Sequence, residues 1–378
     1  MKEVHVRAAE AVCALGGDLG SCMEAIRARR TALRPLREFP GGDFGRGDLL
    51  AGWIRDRGVF RGRRYGEASN LAVHVARLAV ERAGLGAEEL SRAALWVGSS
   101  RGNLGEFAGG VRGRRPPGVF RASNQLHSEI AAAVSVELGV RGPWQLLSNG
   151  CASGLDALGF AVNDLRMGRR RIALVVAVDL PLVEVLLDAF EETGALGLGD
   201  GNDPYSPAAR GFLPGEGAAA LVLDTEEAGA LCGLGQYGVG TDAFDSVAVP
   251  EDGGGLGAAL EEAAEGERVV AVVPHANGTR AGGGAEQAAL GAFGAFGRGP
   301  LGGVLLKPYL GHALGASGLL EAALLAGFLR EGRLPPNLAG LTGGVLALDR
   351  EHVEPGEVVL KISTAMGGHH AVVAFRAH

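Results

Sequence analysis

The chain has 378 residues, of which 47% are hydrophobic and 21% are charged, and its formal net charge is −7. This composition is typical of a globular protein and excludes a disordered chain, while the length predicts two or three domain-sized units. The negative charge argues against a nucleic-acid-binding protein. Two basic segments, Arg55–Arg64 and Arg112–Arg115, are exceptions, which we interpret as solvated faces, with an acidic carrier protein as the alternative partner.

Nothing in the sequence predicts export or insertion into a membrane. The opening Met1–Arg7 lacks the apolar core of a signal peptide, and no segment offers the roughly 18 uninterrupted apolar residues of a membrane span. The cysteines Cys13, Cys22, Cys151 and Cys232 are scattered and have no metal-binding spacing, so we expect no metal. A reduced, cytoplasmic protein is therefore expected.

Apolar runs alternate with segments of helical period along the whole chain, which predicts an α/β fold. The predicted helices are Leu71–Gly84, Asn124–Gly139, Ala152–Gly168 and Ala313–Glu331. The predicted strands are Ala94–Ser99, Trp144–Ser148, Ile172–Val178, Ala218–Asp224, Val269–Pro274, Gly303–Leu306, Val358–Ser363 and Ala371–Phe375.

Three reactive side chains each follow a predicted strand at a sharp turn. They are Cys151, His275 and His312, and helices are predicted directly after Cys151 and His312. Because sites gather at the carboxyl ends of strands in α/β sheets, the arrangement predicts one shared pocket.

Cys151 stands in the segment Ser148–Gly154, between a strand and a helix. Backbone N–H groups and the positive end of the helix dipole are expected to stabilise a thiolate there, and small neighbours leave room for a thioester. Taken alone, this cysteine is more simply interpreted as a buried small apolar residue.

The two histidine segments carry further signals. His275 ends a strand and precedes a polar, glycine-rich loop, a setting in which it can act as acid, base or hydrogen-bond donor. Gly315 and Gly318 are costly inside a helix, so we expect this helix start to pack closely against another element. Lys307 is one of only three lysines in an arginine-rich chain, which indicates a need for lysine in particular.

Taken together, these segments resemble the β-ketoacyl-(acyl carrier protein) synthases of the thiolase superfamily, of the elongating Cys-His-His type. That family shows T-A-C-x-S-G, then H-G-T-x-T-x-x-x-D-x-x-E, then K-x-x-x-G-H-x-x-G-A-x-G followed by a glutamate. Here His275 to Glu286 spans eleven positions (286 − 275), and Lys307 lies five positions before His312 and fourteen before Glu321 (312 − 307 and 321 − 307). The similarity covers most of the chain from Ala94 onward, and more weakly the residues before it.

The resemblance implies a five-layered αβαβα thiolase fold of two similar halves with mixed sheets, which we place at residues 1–226 and 227–378. It implies that Cys151 accepts an acyl group and that His275 and His312 assist a decarboxylative condensation with a malonyl-type thioester. Lys307 is expected to pair with Glu321. Acyl carrier protein is the implied partner, and its phosphopantetheine carries the substrates. The resemblance implies no other cofactor. It also implies a homodimer, or a heterodimer with a homologous chain.

The remaining implied site residues include departures from the family pattern. Asn277 replaces a threonine near the pantetheine arm, whereas Thr279 keeps the family hydroxyl. The family reads S-F-G-F-G-G-T-N where this chain has Ser363–His370, so Met366 stands in the place of a gating phenylalanine, before Gly367 and Gly368. Met366 is also the implied second oxyanion donor, beside Cys151.

Three alternatives remain open. A thiolase would carry a second cysteine near Met366, and an initiating synthase would have asparagine in place of His312. A non-catalytic partner that shapes the acyl tunnel of a homologous ketosynthase, like a chain length factor, would generally lack the nucleophile that Cys151 provides.

Overall fold

The computed structural model describes residues 2–62, 64–111, 120–197, 202–295 and 301–378. Arg63 and the basic cluster of Arg112, Arg114 and Arg115 lie outside these residues. In the described parts of the chain, no helix is both long and apolar enough to cross a membrane.

The described strands are β1 (Val4–Cys13), β2 (Arg34–Pro35), β3 (Leu50–Ala51), β4 (Ala94–Gly98), β5 (Trp144–Leu147), β6 (Ile172–Asp179), β7 (Gly217–Asp224), β8 (Cys232–Thr241), β9 (Val269–Val273), β10 (Gly302–Gly303), β11 (Val358–Ala365) and β12 (His369–Arg376). The described α-helices are α1 (Leu19–Arg27), α2 (Glu67–Ala83), α3 (Ala87–Arg92), α4 (Leu104–Val111), α5 (Arg121–Asn124), α6 (Glu129–Leu138), α7 (Ser153–Arg166), α8 (Glu184–Glu192), α9 (Gly254–Ala263), α10 (Arg280–Ala295), α11 (Lys307–Leu310) and α12 (Ser317–Leu329).

The described strands, apart from the short β2–β3 pair, form one mixed sheet in the order β10-β9-β11-β12-β8-β1-β7-β6-β4-β5. Each end of this sheet has three parallel strands followed by two antiparallel ones: β5, β4 and β6 then β7 and β1, and β10, β9 and β11 then β12 and β8. The two halves join where β1 pairs with β8, from Val4 to Val6. The prediction of two similar halves with mixed sheets is therefore confirmed. The structure adds that the sheets of the two halves are joined into one continuous sheet.

Helices complete five layers. Helices α7 and α12 lie between the two half-sheets, α2 and α6 cover the outer face of the first half, and α9 and α10 lie on the outer side of the second, where α9 packs on β8 and β12. Every residue of α12 is buried, because this helix is enclosed by both halves. The hydrophobic effect favours this arrangement, since a helix that is apolar on all sides is stable only when it is surrounded.

Several predicted boundaries change in the structure. The predicted helix Asn124–Gly139 is interrupted, because α5 ends at Asn124 and α6 begins at Glu129. The predicted strand Gly303–Leu306 was wrong in extent: only Gly302–Gly303 pair with β9, and α11 begins at Lys307. The predicted loop after His275 was wrong from Arg280 onward, where α10 begins despite three consecutive glycines.

Candidate active site

The fold brings together the three side chains that follow separate strands. His312 Nε2 lies 3.2 Å from Cys151 Sγ. The rings of His275 and His312 are 5.1 Å apart between centroids and almost perpendicular, at 83°. A thiol and two imidazoles therefore meet between the two halves, since Cys151 precedes α7 and His312 precedes α12.

Close packing of small residues fixes the Cys151 turn. Cys151 lies in a short 3₁₀ helix, Gly150–Ala152, immediately before α7. A Cβ atom on Gly154 would lie 2.7 Å from the Gly315 carbonyl oxygen, and one on Gly315 would lie 2.7 Å from the backbone nitrogen of Ser100. The expectation of close packing at Gly315 is thus confirmed, and it allows the starts of α7 and α12 to meet beside the thiol.

Both ring nitrogens of His312 have partners. Its Nδ1 lies 2.9 Å from the hydroxyl of Ser317, which is buried at the first position of α12. Its backbone N–H donates to the Leu213 carbonyl at 2.7 Å, and its own carbonyl accepts from Gly215 at 3.0 Å. Ring and backbone are therefore both held, which fixes the direction in which Nε2 faces Cys151.

His275 is held through its backbone, by Glu286. The two carboxylate oxygens of Glu286 accept the N–H groups of His275 at 2.6 Å and of Ala276 at 2.8 Å, and Tyr205 donates its hydroxyl to the same carboxylate at 2.8 Å. These bonds stabilise a turn in which Ala276 has a φ of 40°, an uncommon value for a residue with a side chain. The buried Nδ1 atom of His275 has no hydrogen-bond partner among the described residues.

A buried cluster of charges lies behind the histidines. Lys307 Nζ donates to Glu321 Oε1 at 2.7 Å, the pair that the resemblance implied. Glu321 Oε2 lies 2.8 Å from Lys361 Nζ, with the geometry of an ion pair and not of an aligned hydrogen bond. Lys361 also donates to the Ile362 carbonyl at 2.5 Å and is completely buried in β11. Two cations therefore share one carboxylate.

Burial and these cations set the protonation states of the site. Burial raises the pKa of the Cys151 thiol to about 11, although the positive charges of Lys307 and Arg101 oppose the shift. The expectation of a thiolate stabilised by the helix start is thus wrong for the resting site, where the side chain is a thiol. Burial and the charge of Lys307 hold the pKa of both His275 and His312 well below the usual value, so both imidazoles are neutral at pH 7.

The segment after His275 lines a cavity. Ala276, Asn277 and Gly278 border this cavity together with Lys307 and His312. The amide oxygen of Asn277 accepts from the Thr279 backbone at 3.0 Å and from its hydroxyl at 2.8 Å. Asn277 therefore faces the cavity and Thr279 supports its orientation, while Thr279 itself does not line the cavity.

The tight turn between β11 and β12 lies beside the nucleophile. A Cβ atom on Gly150 would lie 3.2 Å from that of Ala365, the residue before Met366. Gly367 and Gly368 have φ values of 86° and 72°, and a side chain on Gly368 would collide with Asp242. The side chain of Met366 is 44% exposed, so in this chain it lies at the surface of the turn.

The two histidines after this turn pack within the sheet. His369 Nε2 lies 2.9 Å from Asp156 Oδ2, and this bond raises the pKa of His369. His370 bridges Asp242 at 3.0 Å and Thr364 at 3.1 Å. Packing within the sheet accounts for the contacts of both histidines.

Three side chains near the site were missed from the sequence. Lys361 had one available signal, because it is one of three lysines. Ser317 had none beyond its place five residues after His312. Arg101, which follows β4, comes near Cys151 only because β4 lies beside β5 and β6 in the sheet.

A five-layered fold with a Cys–His–His pocket between its halves defines the thiolase-like condensing enzymes as a class. The family model "Beta-ketoacyl synthase, N-terminal domain" matches residues 61–228, and "Beta-ketoacyl synthase, C-terminal domain" matches residues 231–340. The chain therefore belongs to the β-ketoacyl synthase family, a family of acyl-transferring synthases.

Individual proteins are similar along much of the chain. A polyketide β-ketoacyl synthase of Streptomyces cyaneus is 32% identical over 60% of this chain and 58% of its own length. The chloroplastic 3-oxoacyl-[acyl-carrier-protein] synthase I of Arabidopsis thaliana is 26% identical over 100% of this chain and 87% of its own. The solved ishigamide ketosynthase/chain length factor has a TM-score of 0.85 at 23% identity and covers 100% of this chain and 99% of that one. That last likeness shows the fold.

Proposed function

We propose that the protein is a β-ketoacyl synthase that condenses an acyl group on Cys151 with a malonyl-type thioester and releases carbon dioxide, in fatty acid, polyketide or polyene synthesis. The observation that carries the proposal is the 3.2 Å contact between Cys151 Sγ and His312 Nε2, with His275 beside them. Acyl transfer needs a nucleophile paired with a base, and condensation needs donors for an enolate oxygen.

The first half-reaction uses Cys151 and His312. Because the resting side chain is a thiol, Sγ attacks the thioester carbonyl as its proton passes to His312 Nε2. The carrier thiol then leaves with a proton, and an acyl-cysteine thioester remains. Backbone N–H groups of Cys151 and Met366 are the proposed donors to the oxyanion, which is consistent with the position of the β11–β12 turn beside Gly150.

The second half-reaction joins two carbons. The malonyl-type thioester loses its carboxylate as carbon dioxide, and the resulting carbanion attacks the acyl carbonyl on Cys151. A carbon–carbon bond forms, the Cys151 thiolate leaves, and it takes up one proton from solvent. Once Cys151 is acylated and has no thiol proton, His312 can carry its proton on Nε2 and accept at Nδ1 from the Ser317 hydroxyl. Neutral His275 and His312 then donate N–H groups to the enolate oxygen, while Lys307, Glu321 and Lys361 hold the surrounding charge.

We propose that acyl carrier protein delivers both substrates on its phosphopantetheine arm, which Asn277 contacts and Thr279 supports. Two exposed arginines, Arg210 and Arg280, both donate to the Pro207 carbonyl, at 3.2 and 3.4 Å, beside residues that line the cavity. Exposed cations beside this cavity suit an acidic carrier.

The four cysteines carry free thiols, which fits a reduced cytoplasmic setting. We also propose that the two halves of the chain are residues 1–226 and 227–378.

Mass spectrometry after incubation with an acyl-carrier thioester tests the nucleophile. We expect one acyl adduct on Cys151, no adduct in Cys151→Ala, and an unchanged adduct in Cys232→Ala, a control because that cysteine is fully buried in β8. Addition of malonyl-carrier thioester should then release carbon dioxide and a carrier-bound β-keto product. Absence of any adduct on Cys151 in the purified chain would contradict an autonomous enzyme.

The same experiment separates the enzyme from a chain-length-factor-like partner. A chain that remains unacylated alone, yet sets the product length when it is mixed with a homologous ketosynthase, would be that partner. The retained contact between Cys151 and His312 favours the enzyme, because a subunit that only shapes a tunnel has no need of it.

A further inference from the structure

Arg101 places a cation close enough to the nucleophile to act on its charge. It lies on the turn after β4, where Asp179 fixes the main chain. The buried carboxylate of Asp179 accepts from the backbone of Ser100 and of Arg101, both at 3.0 Å, and from the Ser99 hydroxyl at 2.9 Å. Asp179 therefore holds the backbone of Arg101 in place, through the N–H group and not through the guanidinium.

A row of aromatic rings connects Arg101 to the catalytic pair. The guanidinium lies 5.5 Å from the centre of the Phe190 ring. Phe190 meets Phe212 edge to face at 4.9 Å, and Phe212 meets His312 in the same way at 5.3 Å. The charge of Arg101 also reaches the thiol, because it lowers the pKa of Cys151 against the effect of burial.

The surroundings of this cation are apolar. Cys151 packs against a buried hydrophobic cluster whose members include Leu186, Phe190, Phe212 and Leu314, and Leu104 packs against the same cluster. An acyl group on Sγ would meet this cluster. In the described residues, the buried Nε atom of Arg101 has no hydrogen-bond partner. A half-buried guanidinium beside apolar side chains keeps further N–H donors that a ligand oxygen can bind.

We infer that Arg101 is a specificity-determining residue that binds an oxygen of the acyl group on Cys151, and so selects chains that bear a keto or carboxylate oxygen over saturated alkyl chains. The inference rests on the proposed function, and it names the class of acyl group that the site accepts. The planar fork of donors on arginine suits either oxygen type, and the apolar surroundings strengthen the bond.

The experiment measures initial rates of Cys151 acylation by mass spectrometry with three six-carbon carrier thioesters: hexanoyl, 3-oxohexanoyl and 5-carboxypentanoyl. We expect at least one oxygenated chain to react about tenfold faster than hexanoyl, as a charge-assisted hydrogen bond allows. The keto and carboxylate arms show which oxygen is bound. In Arg101→Met the preference should fall about tenfold, whereas Arg101→Lys should keep part of it.

Arg92→Met is the matched control, because Arg92 is exposed on α3 and pairs only with Glu88 in the same helix among the described residues. It should leave the preference unchanged. The inference is overturned if the hexanoyl thioester acylates the unmodified chain as fast as, or faster than, both oxygenated thioesters, and this result does not require Arg101→Met to fold. It is also overturned if folded Arg101→Met shows the same ratio of oxygenated to hexanoyl acylation rates as the unmodified chain. Failure of the proposed function differs from both results, because no thioester would then acylate Cys151.

Discussion

The two histidines of the pocket lie in contrasting surroundings. Both are buried and neutral, and their rings are 5.1 Å apart. Yet His312 has both ring nitrogens engaged, by Cys151 and Ser317, whereas His275 Nδ1 has no partner among the described residues. The contact of His312 with the thiol suits proton transfer with the nucleophile, and we assign donation to the substrate that arrives later to His275.

The largest expected effect comes from separating these two roles. His312→Phe should slow acylation of Cys151 by about 10²–10⁴-fold, because the thiol loses its base. His275→Phe, which replaces the other imidazole in the same way, should leave acylation nearly intact and abolish release of the β-keto product. Rapid-quench mass spectrometry measures the first step, and product assay the second. If both variants lose acylation to the same extent, the division of roles is wrong.

A smaller effect is expected from the charge behind the histidines. Lys361→Met removes a cation that holds the pKa of His312 low, so this pKa should rise. Because only the neutral imidazole accepts the thiol proton, the acidic limb of the acylation rate should shift to higher pH. Lys2→Met is the control, since Lys2 is an exposed lysine far along the chain from the site. An unshifted limb would contradict the influence of Lys361.

The same variant tests a dependence of stability on pH. Burial lowers the pKa of Lys361 to about 8 from an ordinary value of 10.5, although Glu321 opposes the shift. Between these values the unfolded chain binds the proton that the folded chain has lost, so the unfolding free energy rises with pH in this window. Relative to Lys361→Met, the unmodified chain should gain on the order of 1 kcal/mol or more from pH 8 to 10.5 in urea unfolding.

A modest effect on the rate of acylation is expected from Ser317→Ala. With a protonated thiol, Sγ–H donates to His312 Nε2, and Nδ1–H therefore donates to the Ser317 hydroxyl. Loss of that acceptor leaves a buried donor unpaired and should slow acylation by about three- to thirtyfold. Ser363→Ala is the matched control, because Ser363 is equally buried in β11 and its hydroxyl has no hydrogen-bond partner in the described ranges. Equal effects of both variants would show a loss of packing only.

The sequence by itself determined the class of fold, and it predicted the central residues that the structure brings together. Alternation of apolar runs and helical periods predicts an α/β chain, and this signal is local, since it depends on which residues face the core of each element. Cys151, His275, Lys307 and His312 were found because several linked spacings match one family, whereas each residue alone fits a simpler interpretation. The helix α10 and the strands β1 and β8 were not predicted. Glycine weakens the local preference of α10 for helix and of β8 for strand, alanine weakens that of β1 for strand, and tertiary packing overrides such preferences.

Only the tertiary structure decided how the site works. The 3.2 Å contact of Cys151 with His312 joins residues 161 positions apart (312 − 151), and no local pattern encodes such a distance. The protonation of the thiol was predicted incorrectly because a helix start is visible in a sequence, whereas the burial that opposes it is not. Lys361 and Arg101 escaped notice for the same reason: a cation acquires its role from the groups that folding places around it.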